Sequence, residues 1–369
     1  MNKYAKTIKK LEKNQSIWLI TGVAGFIGSH LLEKLLKLNQ KVIGLDNFST
    51  GYEKNLEEVK KNVTKEQWLN FQFINGDIRK IKDCRRAMHY TIKEIKYGQK
   101  AKEEILPVQY VLHQAALGSV PRSIEDPILT NESNVVGFLN MLVAARDAKV
   151  QSFTYAASSS TYGDNEILPK KEENIGKSLS SYAVTKYINE LYADVFWLNY
   201  GFKSIGLRYF NVYGPRQDPK GSYAAVIPKW TNEIINDKAI IINGDGTTSR
   251  DFTYIDNVVQ ANILCAMNTF EEAENQIYNI AIGKSITLNE IATIIHNEVK
   301  ENKENKLKIK YQNFRKGDIK HSLADISKAK NLLNYNPTHE IKDGIRQTVK
   351  WFINNEFKKS AKCEHDQEL

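Results

Sequence analysis

The stretch Thr21-Gly22-Val23-Ala24-Gly25-Phe26-Ile27-Gly28-Ser29-His30 lies between a strand-like run, Ile17 to Ile20, and a helix-like run, Leu31 to Leu36. Glycines here let the chain turn sharply, bring its backbone close to a pyrophosphate and aim a helix N-terminus at the phosphates. The G-x-x-G-x-x-G spacing differs from the G-x-G-x-x-G of ordinary dehydrogenases, so the flanking strand and helix carry much of the argument. In that context the stretch predicts a dinucleotide-binding loop.

An acidic residue follows this loop at the distance that the adenosine ribose requires. A second strand-like run, Lys41 to Leu45, ends at Asp46. A carboxylate there hydrogen-bonds the ribose hydroxyls and repels a 2′-phosphate. The expected cofactor is therefore NAD and not NADP.

Apolar runs bounded by turn residues recur along the first 210 residues. They lie at 17–20, 42–45, 71–74, 110–112, 153–157 and 204–207. Helical patterns separate most of them, which is typical of a parallel sheet with helices on both faces. The predicted fold class is α/β, a Rossmann-type doubly wound parallel sheet. Two long charged segments, Tyr52 to Lys65 and Asp83 to Glu104, look helix-prone and are expected to be surface insertions.

The second half of the chain predicts a smaller C-terminal lobe that binds substrate. From Tyr213 onward, glycine and proline interrupt the chain and the strand–helix alternation loosens. We expect an N-terminal helical extension at 1–16, an NAD-binding domain at 17–213 to which 240–275 returns, a substrate-binding lobe at 214–358 and a frayed tail at 359–369.

Composition is that of a soluble globular protein, with 369 residues, 41% hydrophobic and 26% charged. No apolar run approaches the ~18 residues of a membrane span, and the lysine-rich N-terminus does not resemble a secretory signal. The three cysteines, Cys84, Cys265 and Cys363, have no metal-ligand spacing, so we expect reduced thiols, a cytoplasmic protein and no metal site. The net charge of +9 comes largely from lysines near the termini and in one insertion, without interleaved aromatics, so solvated helix faces are favoured over nucleic-acid or membrane partners.

A tyrosine and a lysine four residues apart are the candidate catalytic pair. Tyr182 and Lys186 share one face of a helix if the segment is helical, and an ammonium there stabilises a phenolate. Such a tyrosine can act as a general base on a sugar hydroxyl. The cluster Ser158-Ser159-Ser160 follows the predicted fifth strand and can hydrogen-bond the same oxygen. A tyrosine and a lysine at this spacing are common in helices, so the catalytic interpretation depends on the dinucleotide-binding loop and Asp46 earlier in the chain.

Four further motifs make a family resemblance plain: His113-Gln114-Ala115-Ala116, Leu207 to Arg216 (LRYFNVYGPR), Arg250 to Asp256 (RDFTYID) and Arg315-Lys316-Gly317-Asp318. With them, the chain resembles an extended short-chain dehydrogenase/reductase, and specifically a nucleotide-sugar 4-epimerase of the UDP-galactose 4-epimerase family, over roughly residues 16–354. In that reaction NAD oxidises the sugar to a 4-keto form, which swings about its diphosphate link before reduction on the other face.

The resemblance implies roles for individual residues. Tyr182 is the base, Lys186 its partner, and Ser158, Ser159 and Ser160 line the reacting hydroxyl. The implied contacts to NAD come from Gly22, Gly25, Phe26, Ile27, Gly28, Asp46, Asn47, Ser49, Gly51, Asp77, Ile78, Gln114, Ala115, Ala116, Asn134, Tyr182, Lys186 and Tyr209. The implied contacts to the UDP-sugar come from Gly118, Ser119, Ser158, Ser159, Tyr182, Asn211, Ala225, Val226, Arg250, Arg315, Asp318 and Ser322.

Two features favour N-acetylated sugars. The segment His113 to Ser123 (HQAALGSVPRS) resembles the branch that acts on UDP-GlcNAc and UDP-GalNAc in surface polysaccharide synthesis, with Gly118 and Ser119 facing the sugar. Ser322 matches a position that is a bulky tyrosine in members restricted to glucose and galactose. The corresponding uronic acids, UDP-GlcNAcA and UDP-GalNAcA, and activity on UDP-Glc and UDP-Gal remain open alternatives.

Other functions rank lower. Nucleotide-sugar dehydratases resemble one another in a Thr-Asp-Glu run just after the strand that ends in the serine cluster. This chain has Ser160-Thr161-Tyr162 at that place and so lacks the resemblance. A non-catalytic NAD-binding protein typically lacks the tyrosine or lysine, and both are present. The stretches 134–148 and 179–199 carry apolar residues on more than one face, and the family resemblance implies a homodimer through a four-helix bundle.

Overall fold

A seven-stranded parallel sheet forms the centre of the fold. The computed structural model describes residues 2–94, 102–220, 224–301, 304–314 and 319–365. Its strands are β1 (Ile17–Thr21), β2 (Lys41–Asp46), β3 (Phe71–Asn75), β4 (His89–Glu94), β5 (Lys102–Pro107), β6 (Tyr110–His113), β7 (Ser152–Ser158), β8 (Ser204–Tyr209), β9 (Val212–Tyr213), β10 (Ile240–Asn243), β11 (Ser249–Arg250), β12 (Thr253–Tyr254), β13 (Gln276–Ile280), β14 (Ile286–Thr287) and β15 (Ile309–Gln312). The main sheet has the order β13-β8-β7-β6-β1-β2-β3, and all its neighbouring pairs are parallel.

Helices cover both faces of this sheet. They are α1 (Lys3–Lys13), α2 (Phe26–Lys37), α3 (Glu53–Asn62), α4 (Lys65–Trp68), α5 (Ile81–Arg86), α6 (Val120–Glu125), α7 (Pro127–Asn131), α8 (Gly137–Asp147), α9 (Ser181–Tyr200), α10 (Val226–Ile235), α11 (Ile255–Ala266), α12 (Leu288–Lys300) and α13 (Ile341–His365). Apolar residues of α2 and α11 pack in one core, and those of α8 and α9 pack in a second core. The predicted α/β doubly wound class is therefore confirmed.

All six predicted strand runs are strands of this sheet, but its seventh strand, β13, was missed. It pairs with β8 after the chain has passed through the smaller lobe, with Tyr278 opposite Leu207. The chain returns to the sheet through α11, which packs against β6, β7 and β8. Strand β10 instead pairs with β15, apart from the main sheet, and α10, α12 and α13 pack beside this pair.

The prediction of a helix-prone insertion from Asp83 to Glu104 is wrong for most of that segment. In the described part of that segment, helix is confined to the end of α5, and β4 pairs with β5 as an antiparallel hairpin. The hairpin contacts the edge strand β3 of the main sheet, where the Gln72 side chain hydrogen-bonds the backbone N–H and carbonyl of Thr91. Tyr90 is buried beneath it. Tertiary contacts thus override the local helical preference of the charged residues. Residues 95–101 lie outside the described residues.

The N-terminal residues form a capped amphipathic helix. The Asn2 side chain accepts a hydrogen bond from the backbone N–H of Ala5 at 2.9 Å and so begins α1. Leu11 is buried, and Tyr4 and Ile8 pack against the core that contains α11. In the described parts of the chain, no helix is both long enough and apolar enough to cross a bilayer.

Candidate active site

A cleft of about 500 Å³ lies at the carboxyl ends of β1, β2 and β6, where parallel sheets bind ligands. Fourteen of the residues predicted to bind the cofactor line it. They are Gly22, Gly25, Phe26, Ile27, Gly28, Asp46, Asn47, Ser49, Gly51, Asp77, Ile78, Gln114, Ala115 and Ala116. The structure thus brings together predicted residues from four separate segments of the sequence.

The glycine loop has the geometry that a diphosphate requires. Gly22 has φ +69°, and a Cβ added to Gly28 would lie 2.1 Å from the Gly22 carbonyl oxygen. Helix α2 begins at Gly25 with no side-chain cap, so its first N–H groups point toward the cleft without a competing side-chain acceptor. The helix dipole adds partial positive charge at the same place. Backbone and helix together fit a pyrophosphate.

Two carboxylates, Asp46 and Asp77, line the cleft at the end of β2 and after β3. The Asp46 side chain accepts from the backbone N–H groups of Ala24 at 2.9 Å and Phe48 at 2.8 Å. Burial raises the pKa of Asp46, and these backbone donors lower it in part. Asp77 pairs with Arg79 at 2.6 Å, which holds the pKa of Asp77 below its usual range. An anionic Asp46 at the end of β2 fits a ribose diol, so this set of residues suits NAD.

The candidate catalytic pair lies on α9 as the spacing predicts. The Lys186 ammonium is buried and donates to the Ala156 carbonyl at 2.7 Å. Burial lowers the pKa of Lys186 to about 8. Burial also raises the pKa of Tyr182, and the Ser158 hydroxyl within hydrogen-bonding range lowers it in part. In the protein alone, burial is therefore the dominant influence on the pKa of Tyr182, and the lowering expected from Lys186 is not seen.

The N-terminus of α9 is held from both sides. Ser180 caps it by accepting from the Ala183 N–H at 3.1 Å, and the Tyr182 N–H donates to the Ser123 hydroxyl at 3.0 Å. The serine cluster lies beside it at the end of β7, where Ser158 accepts from the Ser160 hydroxyl at 2.8 Å. Ser159 follows Ser158 in the same turn. The turn thus presents hydroxyl groups next to Tyr182.

A second cavity of about 260 Å³ adjoins the cleft, and Ala225 lines both. Of the predicted substrate residues, Asn211, Val226 and Arg250 also line this second cavity. The Asn211 amide donates to the Asp251 carbonyl at 2.9 Å, and the Arg250 guanidinium donates to the Ser249 carbonyl at 2.9 Å. Gly118 and Ser119 line the cleft itself.

Other predicted residues stand behind or beside the cavities. The Asn134 amide is buried and holds both the N–H and the carbonyl of Leu117, so it supports the loop that carries Gly118. The Tyr209 hydroxyl donates to Gln114 at 3.1 Å from beneath the cleft. Ser322 donates its N–H to the Ser249 carbonyl at 3.1 Å, next to Arg250, and lines neither cavity. Arg315 and Asp318 lie outside the described residues.

Sequence reasoning missed several lining residues. The Tyr52 hydroxyl donates to Asp218 at 2.7 Å across the mouth of the cleft. Arg122 lines the cleft beside Ser119, whose hydroxyl accepts from the Arg122 N–H at 3.2 Å. Arg122 lay within a quoted motif but was given no role, and nothing local in the sequence pairs Tyr52 with a residue so distant. Within the described residues, no cluster of His, Cys, Asp and Glu could hold a metal ion.

Comparison with known proteins gives the same family as the motifs. The chain matches the family described as GDP-mannose 4,6 dehydratase over residues 19–348. A UDP-glucuronate 4-epimerase of Thermodesulfobacterium geofontis is 35% identical over 94% of this chain and 99% of its own.

Two solved structures share the whole fold. The UDP-N-acetylglucosamine 4-epimerase from Methanobrevibacter ruminantium M1, in complex with UDP-N-acetylmuramic acid, has a TM-score of 0.80 and 35% identity over 93% of this chain and 99% of its own. The UDP-glucuronic acid 4-epimerase from Bacillus cereus, in complex with UDP-glucuronic acid and NAD, has a TM-score of 0.75 and 28% identity over 92% and 99%. The chain therefore belongs to the extended short-chain dehydrogenase/reductase family, alongside the UDP-sugar 4-epimerases.

Proposed function

We propose that the protein is an NAD-dependent 4-epimerase that interconverts UDP-GlcNAc and UDP-GalNAc. The observation that carries the proposal is the grouping of Tyr182, Lys186 and the Ser158 hydroxyl. These three residues line neither cavity, but Ser123 ties their helix to the segment with Ser119 and Arg122 that lines the cleft. The glycine loop and Asp46 of that cleft suit NAD. Bound NAD supplies reversible oxidation at the fourth carbon of the sugar. The protein's own groups must then move one proton and hold the nucleotide.

Tyr182 is the proton carrier in this proposal. Its phenolic oxygen takes the proton from the sugar hydroxyl and returns it after the sugar has turned over. The Ser158 hydroxyl hydrogen-bonds the same oxygen and lowers the pKa of Tyr182, against the larger effect of burial. In this proposal the Lys186 ammonium adds to the lowering once cofactor and substrate are bound. A hydroxyl from Ser159 or Ser160 completes the polar rim of the reacting position.

The second cavity is proposed to hold the uridine diphosphate. Arg250 lines it, and a guanidinium suits bidentate contact with a phosphate. Asn211 lines the same cavity and adds an amide. Because the cavity adjoins the cleft at Ala225, a UDP-sugar held there places its hexose toward the NAD side. By resemblance, Arg315 and Asp318 add further contacts to the nucleotide.

An N-acetyl substrate is favoured by the space next to Ser119. A Cβ added to Gly118 would meet no atom within 4 Å, so this part of the cleft wall is open. Ser322, close to Arg250, is small as well. The relative from Methanobrevibacter ruminantium named for UDP-N-acetylglucosamine supports the same choice.

A uronic acid substrate is the second candidate, and Arg122 favours it. Arg122 lines the cleft beside Ser119, and in this alternative its guanidinium pairs with the carboxylate at the sixth carbon of the hexose. The relatives named for UDP-glucuronate support this alternative. A dehydratase is less favoured, because Tyr162 is buried and donates to Asn279 where that reaction needs an acid.

Epimerisation assays on the purified protein test both candidates. UDP-GlcNAc, UDP-GlcNAcA and UDP-Glc are supplied separately without added NAD, and products are followed by proton NMR. We expect UDP-GalNAc to form fastest, with NAD recovered from the denatured protein. Fastest turnover of the uronic acid would replace the first candidate by the second, and no turnover even with NAD supplied would contradict an epimerase. A Tyr182→Phe sample controls for contaminating activity.

We also propose a homodimer through α8 and α9. Val184, Leu191, Val195 and Leu198 are exposed along α9 at spacings of seven, four and three, which is a helix-packing pattern. Light scattering on the eluting protein should give twice the chain mass. The proposal places the reaction in the cytoplasm, in keeping with the buried free thiols of Cys84 and Cys265.

A further inference from the structure

Helix α9 is attached to the sheet at three successive turns of one face. Tyr182, Lys186 and Glu190 are four residues apart and therefore stand in line. Tyr182 lies within hydrogen-bonding range of Ser158, and Lys186 donates to the Ala156 carbonyl, so both are held by β7. The third residue of the line, Glu190, reaches the next strand, β8.

Glu190 forms a buried, bidentate ion pair with Arg208. The Arg208 Nε and Nη2 atoms donate to the two Glu190 carboxylate oxygens at 2.9 and 2.7 Å. The side chains are only 3% and 7% exposed for Arg208 and Glu190. A pair so well aligned and dry fixes both partners in position.

Arg208 is itself held on every side. Its Nη1 donates to the Glu172 carbonyl at 2.9 Å, and its guanidinium lies 4.8 Å from the centre of the Tyr162 ring. In the sheet register it stands opposite Ala157, between the residues opposite Ala156 and Ser158. The ion pair is therefore adjacent to the two points at which β7 holds Lys186 and Tyr182.

We propose that the Glu190–Arg208 pair is the positioning element of the Tyr182–Lys186 dyad. It fixes the height and rotation of α9 against β7 and β8, and its carboxylate sustains the positive charge of Lys186. This inference rests on the proposed function, because it assigns the pair a role in that reaction. Glu190 and Arg208 touch neither cavity and act only through Lys186 and Tyr182.

The electrostatic surroundings of Lys186 support this role. Burial lowers the pKa of Lys186 to about 8, and Glu190 is the charged group that raises it. The other titratable groups that face Lys186 are Tyr182 on its own helix and His113 on β6. Burial and Lys186 hold the pKa of His113 at about 3, so that ring is neutral, and the pKa of Tyr182 is raised, so that phenol is neutral too. Glu190 is thus the negatively charged group that raises the pKa of the Lys186 ammonium.

The sign of the pH effect follows. The ammonium form of Lys186 is the active one, so activity falls as pH rises through its pKa. Without the Glu190 carboxylate the pKa of Lys186 drops further, and the alkaline fall in activity begins at lower pH. If the ion pair contributed only to stability, its removal would not change the pH at which activity falls on the alkaline side.

Three variants separate positioning from simple stability. Glu190→Gln removes the charge and leaves Arg208 buried with a neutral partner. The double variant Glu190→Gln with Arg208→Gln leaves two amides that can hydrogen-bond each other, so it folds even if the single variant does not. Asp194→Asn is the matched control, because Asp194 is an exposed carboxylate one turn further along α9.

Two readouts are measured on each folded variant. The first is kcat and KM for UDP-GlcNAc against pH. The second is the titration of Lys186 itself, by NMR of lysine labelled at Cε with a magnetic carbon isotope and assigned with Lys186→Met. Most lysines titrate near ~10.4, so a resonance that titrates near 8 is well separated.

We expect kcat to fall by about tenfold or more in both Glu190 variants with KM little changed, as for a misplaced catalytic group. Their alkaline limb and the Lys186 resonance should both move to lower pH, while Asp194→Asn matches the wild type. If the double variant regains the wild-type limb and Lys186 titration, the pair is only structural and the inference is wrong. An inactive wild type would instead overturn the proposed function and this inference together.

Discussion

The cofactor cleft and the adjoining second cavity are built on different principles. The cleft's phosphate end depends on backbone: one short loop, its glycines and the first turn of α2. The second cavity depends on side chains from segments that span residues 211–288. The backbone shape of the loop is determined locally by the spacing of its glycines, whereas a cavity lined by side chains forms only after distant segments have packed. Ligand binding in the cleft should therefore be most sensitive to substitutions that fill space at the glycines. Binding and turnover at the second cavity and the reacting position should be most sensitive to substitutions that remove or add a particular side-chain group.

The largest effect is expected from Gly28→Ala. The new Cβ would lie 2.1 Å from the Gly22 carbonyl oxygen, which forces the loop away from its phosphate-binding shape. We expect no NAD in the purified variant and no measurable epimerisation. Gly25→Ala is the graded partner, because its Cβ would lie 3.1 Å from the same oxygen, and it should retain part of the NAD. Equal retention in both variants would break the comparison.

Tyr182→Phe should come next. Removing the phenolic proton carrier should lower kcat by about 10²- to 10⁴-fold while NAD remains bound, since general acid–base catalysis contributes that much. The cofactor content of the denatured protein and initial rates measure the two effects separately. Tyr200→Phe, at the exposed end of the same helix, should behave as wild type. A Tyr182→Phe protein that also lost its NAD would assign the tyrosine to the cofactor side.

A selective effect is expected from Ser322→Tyr. Ser322 lines neither cavity, but a tyrosine there would extend beside Arg250, which lines the second cavity. By the family resemblance it should crowd an acetamido group and lower kcat/KM for UDP-GlcNAc by about 10- to 100-fold, with less effect on UDP-Glc. Competition between the two substrates measures the ratio directly. Ser327→Tyr, exposed in the same segment, is the control. Equal losses on both sugars would remove Ser322 from the specificity of the site.

The smallest effect is expected from Tyr52→Phe. The hydrogen bond from Tyr52 to Asp218 joins the two walls of the cleft, and a hydrogen bond to a carboxylate at a partly exposed position is worth ~1 kcal/mol. NAD should leave about fivefold faster, which corresponds to that energy. The release rate can be followed by the loss of NAD to a scavenging enzyme. An unchanged rate would mean that the backbone loop alone retains the cofactor.

Much of the cofactor side could be predicted because its signals are local. The glycine loop, Asp46 and six of the seven strands of the main sheet follow from patterns only a few residues long. The same local logic placed Tyr182 and Lys186 on one helix face. It failed at β13, whose five residues alternate weakly and whose partner β8 lies some seventy residues earlier.

The supporting contacts could not be predicted for the same reason. Asn134 and Tyr209 hold Leu117 and Gln114 in place, which no local pattern predicted, while their contacts to NAD stay a prediction. The hairpin of β4 and β5 was expected to be helical, because its charged residues have no strand pattern until Gln72 joins them to the sheet. The reach of Tyr52 to Asp218 spans 166 positions and has no local signature. Such contacts depend on how segments pack and not on the composition of either segment.

The late arrival of β13 has a consequence for how the chain is made. All six residues of β8 are buried, and β8 is flanked by β7 and β13. Until residues 276–280 have left the ribosome, one side of β8 is an apolar edge with unpaired backbone groups, which readily recruits other chains. A fragment that ends after β8 therefore carries every residue predicted to bind the cofactor and still has an open, aggregation-prone edge. Solubility of the nascent chain, as much as catalysis, should therefore depend on β13.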